Sequence, residues 1–290
     1  MKRQQYCNCP NVQEFISWLS QRMDQENSFI HKYVNIKSKK DWMCHSIYSA
    51  YENYTWNFSC TDKNGTKITG SSFLESKRVL DGISKDLQES LSNGNDADCL
   101  SSCRQILEWG GVTHKNLEKI RLMEKRCDYF KEAMNIFESE KDLDYYSNAK
   151  ILMNSGFTKI YSLIVRDFVI YDSRVGAALG LFVRYFCEDT DRVKIPDELR
   201  FAWGDKRQGS SNNSNNTKNP RNPSYKDYKF PKLTYDNKLH INNNIRANWL
   251  LKEVLQRTKS KFNLLEERDA LRALESALFM IGYEVVAQFG

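Results

Sequence analysis

The sequence lacks long apolar runs. No segment approaches the roughly 18 uninterrupted apolar residues that a membrane-spanning helix requires, and the first ten residues, MKRQQYCNCP, contain no apolar signal region. These absences argue against a membrane-spanning chain and a secretory leader. We therefore expect a cytoplasmic protein with no membrane partner.

Histidine is scarce, and cysteine is scattered. The 290 residues include only four histidines and eight cysteines, and the cysteines are not packed into a small secreted scaffold. Cys7 and Cys9 form a C-x-C pair, and Cys99 and Cys103 form a C-x3-C pair. A zinc or iron–sulfur site needs four ligands at characteristic spacings, which neither pair supplies. We expect reduced cysteines, no bound metal and no cofactor.

The excess of positive charge is small. The chain has 43 Lys and Arg against 37 Asp and Glu, a net charge of +6, together with 15 Tyr, 15 Phe and 6 Trp. This composition permits a basic face carrying aromatic groups, which suits phosphate backbones and unstacked bases. Charge alone favours an ordinary solvated surface over such a binding face.

Apolar residues spaced three and four apart predict helices along most of the chain. Residues 41–69 are instead aromatic and β-branched, and the turn at residues 62–65 predicts a short hairpin or an irregular aromatic segment there. No internal repeat of solenoid length is present. The sequence thus predicts a mainly α fold with minor β structure in the N-terminal part. The predicted helices span residues 12–34, 72–92, 101–109, 114–138, 143–154, 160–165, 175–187, 247–258 and 264–286.

Two regions are expected. Residues 1–140 form a mostly helical N-terminal region, and residues 141–290 carry the chemistry-bearing motif, a flexible loop at 205–232 and the C-terminal helices. The loop contains a low-complexity stretch, residues 209–220, that is too polar to fold by itself.

The most informative motif lies between residues 153 and 179. A small-residue turn, MNSGFTK at 153–159, carries Lys159, and an apolar run then stops at Asp172, just before a predicted helix. An aspartate at the positive end of a helix is stabilised in its ionised form and can face a cation. Asp172 is therefore a candidate catalytic carboxylate.

These residues resemble those of the helix-hairpin-helix DNA glycosylases, the superfamily of the 8-oxoguanine and endonuclease III types of enzyme. SGFTK at 155–159 resembles the family's hairpin, in which a proline-glycine-small-glycine turn precedes a lysine. IYDSRV at 170–175 is similar to the element that places a catalytic Asp at the start of a buried helix. The resemblance implies an almost entirely helical fold and a nucleotide flipped into a cleft.

The motif also departs from the family pattern. The hairpin's second glycine is replaced by Phe157 or Thr158, and the family's iron–sulfur cysteine run is missing. Lys159 precedes Asp172 by 13 residues, a shorter spacing than the family has. The likeness covers residues 144–187 only.

The chemistry of base removal suggests a role for each residue. Breaking an N-glycosidic bond creates positive charge on the sugar, which Asp172 would stabilise while orienting water. Lys159, if neutral, would attack the same sugar carbon and form a Schiff base, adding strand cleavage. Both residues have a simpler interpretation, Asp172 as a helix cap and Lys159 as a solvated lysine in a turn.

Phosphate contacts are predicted at the hairpin and in the polar loop. Backbone amides at a tight turn are well placed to hold phosphate, although Gly156 also suits a helix end. Arg174, beside Asp172, is either an ion-pair partner or a phosphate clamp. The predicted DNA-binding residues are Ser155, Gly156, Thr158, Arg174, Arg207, Arg221, Lys226 and Lys229.

Tyr171 and Trp203 are predicted to form the base pocket. Trp203 immediately precedes the polar loop, and a tryptophan on a loop rim can stack a flipped base or fill the gap that the base leaves. Core packing is an equally good interpretation of Trp203.

The sequence therefore predicts a monomeric DNA glycosylase that removes a damaged or modified base, in repair or in anti-phage defence. The defence role rests on analogy alone. The alternative is a non-enzymatic helical module that binds nucleic acid or protein through basic loops. A nuclease would need clustered carboxylates for a metal, and the pair at residues 266–267 lies on a long helix whose charged face is expected to be solvated.

Overall fold

The structure is a computed structural model of the chain, and it describes residues 1–36, 38–205 and 219–286. This part of the chain is mainly α-helical, with two small antiparallel hairpins. The chain divides into two compact units. Unit 1 comprises Met1–Asn53 and Tyr171–Gly290, and unit 2 comprises Tyr54–Ile170. The division expected near residue 140 coincides with neither junction.

The secondary structure of both units is as follows in chain order. The first half contains α1 (Arg3–Cys7), α2 (Pro10–Ser20), β1 (His31–Val34), β2 (Asp41–Cys44), α3 (Ile47–Glu52), β3 (Phe58–Thr61), β4 (Lys67–Gly70), α4 (Phe73–Asn93), α5 (Asp96–Trp109), α6 (Asn116–Arg121) and α7 (Arg126–Glu138). The second half contains α8 (Leu143–Asn148), α9 (Phe157–Ile164), α10 (Ser173–Asp189), α11 (Asn237–Arg257) and α12 (Glu267–Ile281), with short 3-10 turns at Asp197–Leu199 and Lys261–Leu264.

Unit 1 is built around α10. This helix is buried along nearly its whole length and packs against α2 and α12, while α11 packs against α1, α2 and α12. Two glycines allow the backbones to approach closely. A Cβ on Gly176 would lie 2.3 Å from the Ala202 carbonyl oxygen, and one on Gly282 would lie 1.9 Å from the Arg174 carbonyl oxygen. The residue after α12 is thus fixed against the first turn of α10.

Unit 2 is a cluster of helices, and the β3–β4 hairpin packs against one of them, α5. In this unit α4 packs against α5, α7 and α9, and α5 packs against β3. Buried side chains join the helices through hydrogen bonds: the Trp109 indole donates to Ser76 Oγ at 3.0 Å, and Ser84 Oγ donates to the Leu163 carbonyl at 2.7 Å. Because buried polar groups are costly without partners, these bonds favour one arrangement of the helices.

The mainly α fold predicted from the sequence is confirmed, and so is the turn at residues 62–65. There Asp62 Oδ1 accepts the Asn64 and Thr66 amides at 2.9 and 2.8 Å, and Gly65 takes a φ of +83°. This turn joins β3 to β4. Among the described residues, none of the helices combines the length and hydropathy needed to cross a bilayer.

Four predicted helices are shorter or interrupted in the structure. The helix predicted over 143–154 ends at Asn148, and the one predicted over 264–286 spans Glu267–Ile281. The first predicted helix ends at Ser20, and residues 31–34 pair as β1 with β2. The helix predicted over 114–138 is interrupted between α6 and α7. The Arg126 side chain donates to the carbonyls of Ile120 and Arg121 at 2.9 and 2.6 Å. These bonds satisfy carbonyls at the end of α6, so the chain can turn there.

Two glycines of α4 give opposite predictions for alanine substitution. Gly82 lies in the exposed helix interior, and Gly94 caps the C-terminus at a φ of +66°; a Cβ at either position would meet nothing within 4 Å. We expect Gly82→Ala to raise the free energy of unfolding by about 0.5–1 kcal/mol, because alanine has the higher helix propensity. Gly94→Ala should lower it by about 1 kcal/mol, because of left-handed strain.

Chemical denaturation of the two variants in parallel checks this pair. Equal shifts of both variants in the same direction would contradict the assigned helix end.

Candidate functional site

Asp172 lies immediately before α10 and caps it. Its Oδ1 accepts the Arg174 amide at 2.9 Å and the Val175 amide at 3.2 Å, and the residue is 9% exposed. The helix that it caps is 17 residues long. The positive end of such a helix stabilises a negative carboxylate, and the two amide bonds fix the orientation of the carboxylate.

The side chain of Arg174 is held against two aromatic rings. Its guanidinium carbon lies 4.1 Å from the ring centroid of Phe279 and 5.0 Å from that of Tyr283. The pKa of Arg174 is lowered to about 10, mainly by burial and also by the charge of Arg221, while the Asp172 carboxylate opposes both effects. Arg174 therefore stays positively charged at neutral pH.

Arg221 is the second guanidinium beside Asp172. Its Nη1 donates to Ser173 Oγ, and its buried Nε has no hydrogen-bond partner among the residues that the structure describes. Burial also lowers the pKa of Arg221, and the Asp172 carboxylate opposes that effect. Asp172, Ser173, Arg174 and Arg221 together form what we call the α10 cluster. With two cations and one carboxylate at a helix N-terminus, the cluster is suited to an anionic group.

An aromatic stack adjoins the cluster through Tyr283. Tyr33 stacks between Trp42 and Tyr283, with both centroid distances at 4.7 Å. The Tyr33 hydroxyl is buried without a hydrogen-bond partner. Burial raises the pKa of this hydroxyl, and the charge of Arg174 opposes the rise. Sequence reasoning missed Tyr33, Tyr283 and the contact between Arg221 and Ser173, because no local pattern marks contacts this distant along the chain.

The two aromatic residues predicted for the base pocket are core residues. Tyr171 is fully buried, and its hydroxyl donates to the Ala202 carbonyl at 2.7 Å. Trp203 is 6% exposed and lies in a strand-like pairing, its amide donating to the Pro231 carbonyl at 3.1 Å. Neither ring lies open to stack a base. For Trp203, the core-packing interpretation fits the structure.

The residues of the predicted hairpin lie at the start of α9: Ser155 and Gly156 precede the helix, and Phe157, Thr158 and Lys159 form its first turn. Asn154 Oδ1 accepts the amides of Gly156 and Phe157 at 2.8 and 3.2 Å. Thr158 is fully buried, and Lys159 Nζ donates to the Ser155 carbonyl at 3.0 Å with only 5% of the residue exposed. In this geometry the amides of Gly156 and Phe157 are not free to bind phosphate. An Asn two residues before a glycine is the sequence signal for this side-chain-capped turn.

Lys159 and Asp172 belong to different units, the first to unit 2 and the second to unit 1.

The predicted DNA contacts in and beside the polar loop differ in their exposure. Lys226 and Lys229 are exposed, Arg221 is half-buried in the α10 cluster, and Arg207 lies outside the described residues. Among the residues that the structure describes, no group of three or more His, Cys, Asp and Glu side chains is arranged to hold a metal ion.

Comparisons with protein-family models, curated protein sequences and solved structures give no match to this chain. Its function is therefore argued from its own residues.

Substitutions at Asp172 separate the cap from the charge. Asn and Ala both remove the carboxylate, but Asn retains an oxygen that accepts the Arg174 and Val175 amides. We expect Asp172→Ala to unfold about 1 kcal/mol more easily than Asp172→Asn, since only Ala loses the cap. Urea denaturation of the two proteins gives this difference. Equal stabilities would show that the capping bonds contribute nothing.

Proposed function

We propose that the protein is a DNA glycosylase in which Asp172 is the catalytic carboxylate. The observation that carries the proposal is the oriented carboxylate at the start of the buried helix α10, with the guanidiniums of Arg174 and Arg221 beside it. The helix N-terminus keeps this carboxylate negative. An oriented negative group can stabilise the cationic sugar that forms as a base leaves.

The two arginines supply the other half of the site. A nucleotide brings a phosphate close to its sugar, so a site for sugar chemistry on DNA needs cations beside the carboxylate. Arg221 has a buried Nε–H without a partner, and the adjacent helix end adds partial positive charge. These groups would bind the phosphate while Asp172 faces the sugar. The substrate is a damaged or modified base, in repair or in defence against modified phage DNA.

Water is the proposed nucleophile. Lys159 Nζ is bonded to the Ser155 carbonyl and is almost fully buried in unit 2, which removes the support for a lysine nucleophile. Hydrolysis by water adds its oxygen to the sugar and returns the proton to the leaving base. The products are a free base and an intact strand with an abasic site.

Asp172→Asn tests the catalytic role. We expect base release to fall by at least roughly 100-fold, because the amide keeps the cap but loses the charge that stabilises the sugar cation. DNA binding should persist. The measurement is the yield of alkali-labile sites on duplexes carrying a panel of damaged and modified bases.

Asp236→Asn is the matched control for that experiment. Asp236 caps α11 in the same unit and in the same way, its Oδ1 accepting the Lys238 and Leu239 amides at 2.8 and 3.3 Å. This variant should release base at the parent rate. If the Asp172 and Asp236 variants behave alike, Asp172 is a cap and has no catalytic role.

Borohydride trapping tests the choice of nucleophile. A Schiff base between a lysine and the sugar is reduced to a stable covalent adduct. We expect no adduct during base release, because Lys159 is buried and bonded. An adduct that disappears in Lys159→Gln would show that Lys159 is the nucleophile after all.

The second candidate function is a non-enzymatic module that binds nucleic acid. The observation in its favour is that capping α10 already accounts for both amide bonds to Asp172 Oδ1. This function predicts DNA binding without base release from any substrate on the panel. Base release by the parent protein on the same panel therefore decides between the two functions.

A further inference from the structure

One face of the β1–β2 hairpin is exposed and largely apolar. Lys32 pairs with Met43 and Val34 with Asp41, so these four side chains share a face. All four are exposed, while the opposite face buries Tyr33, Trp42 and Cys44 in unit 1. Val34 is 49% and Met43 45% exposed, and Ile30 and Ile36 extend the apolar surface at 55% and 52%. Clustered exposed apolar side chains of this kind indicate an interaction surface.

Hydrogen bonds hold the tip of the hairpin. The Ile36 amide donates to the Tyr283 hydroxyl at 3.0 Å, and that hydroxyl donates to Asn35 Oδ1 at 3.4 Å. The backbone of Asn35 is bonded to that of Lys39 and Lys40 at 2.8 and 2.9 Å. The backbone of Ile36 is thus fixed by the bond between its amide and the Tyr283 hydroxyl. A partner would find this surface already formed, which reduces the entropic cost of binding.

The charges around the apolar side chains are mostly positive. Lys32, Lys39 and Lys40 are exposed, and Asp41 is the one acidic residue between residues 30 and 43. The complementary partner is therefore a polyanion that also offers apolar surface. Duplex DNA has both properties, since phosphates line its grooves, and thymine methyl groups and base edges form the groove floor. A two-stranded β-ribbon also has the width that the major groove admits.

We propose that the exposed face of the β1–β2 hairpin enters a groove of duplex DNA. Lys32, Lys39 and Lys40 contact phosphates, and Val34 and Ile36 contact base edges and sugars. The proposal rests on the proposed DNA glycosylase function and adds the surface by which unit 1 binds DNA. Tyr283 connects this surface to the α10 cluster: its hydroxyl holds the hairpin tip, and its ring lies 5.0 Å from the Arg174 guanidinium.

A triple substitution tests the electrostatic half of the proposal. Lys32, Lys39 and Lys40 are changed to Gln together, and binding to a labelled unmodified duplex is followed by fluorescence anisotropy between 50 and 200 mM salt. We expect at least a tenfold loss of affinity at the lowest salt concentration. The slope of log affinity against log salt should become less negative by about 0.9 for each lost phosphate contact.

Exposed lysines of unit 2 provide the control. Lys67, Lys85 and Lys119 are all exposed, and their change to Gln removes the same charge. This control triple should retain the parent salt slope. If the two triples bind DNA with the same affinity and slope, the hairpin does not contact DNA and the inference fails.

The apolar half is tested by Val34→Ser with Ile36→Ser. Both side chains are about half exposed, so the melting temperature should stay at the parent value. DNA affinity should fall several-fold at every salt concentration with an unchanged slope, because apolar contacts release no counterions. Unchanged affinity of this variant would overturn the apolar contact.

The results also separate this inference from the proposed enzyme. Loss of affinity in the hairpin variants, with no base release by the parent on any substrate of the panel, would support the hairpin and refute the glycosylase. If the hairpin variants bind DNA and release base as the parent does, the glycosylase is supported and the hairpin contact is refuted. If the parent chain does not bind duplex DNA, both proposals fail. Dimerisation of the parent that Ile36→Ser abolishes, seen by sedimentation, would then identify a second copy of the chain as the partner.

Discussion

The first turn of α10 is the constraint on which unit 1 depends. Asp172 caps its amides, and the Gly282 backbone lies so close that any side chain at that position would collide with the Arg174 carbonyl. Gly176, one turn further on, is fixed against Ala202 in the same way. A buried helix cannot leave its first amides unpartnered without a penalty, so the cap and the close packing together set where α10 begins.

This constraint brings charge into the core. Arg174 and Arg221 lie next to the carboxylate, and burial lowers the pKa of both guanidiniums. Burying like charges together is unfavourable even when a carboxylate and aromatic rings offset part of the cost. An apolar cluster of similar volume would stabilise the fold at least as well. The proposed function gives these two cations and this carboxylate a role other than stability.

Local sequence patterns predicted the helices whose ends are set by nearby residues. The predicted helices over 72–92 and 175–187 match α4 and α10 closely, since a capping Ser72 with Gly94 in one case and Asp172 in the other mark the boundaries in the sequence itself. Where distant partners decide the structure, the pattern was not enough. The helix predicted from residue 12 was extended to residue 34, but residues 31–34 pair with residues 41–44 as β1 and β2.

The same distinction separates the parts of the candidate site. Asp172 was found because a helix start is a local signal. The sequence did not decide whether Trp203 is buried, because its burial depends on pairing with residues 231–233, across the polar loop. Arg221 was predicted as a loop contact, but its position beside Ser173 follows from tertiary structure, as does the bond between Tyr283 and the tip of the β1–β2 hairpin.

The capping role of Asp172 supports its proposed catalytic role. A carboxylate that must reorient when charge develops on the substrate loses part of its stabilising effect, whereas a fixed one does not. Both amide bonds to Oδ1 provide this fixation, and the preceding residue is held as well. The Tyr171 hydroxyl donates to the Ala202 carbonyl, and the Tyr171 carbonyl accepts from His240 Nε2 at 2.8 Å. The chain returns to unit 1 at Tyr171. Tyr171 and Asp172 are therefore both held by hydrogen bonds, one on each side of the peptide bond that joins them. A helix cap in such a position would supply the preorganised negative charge that the proposed cleavage of an N-glycosidic bond requires.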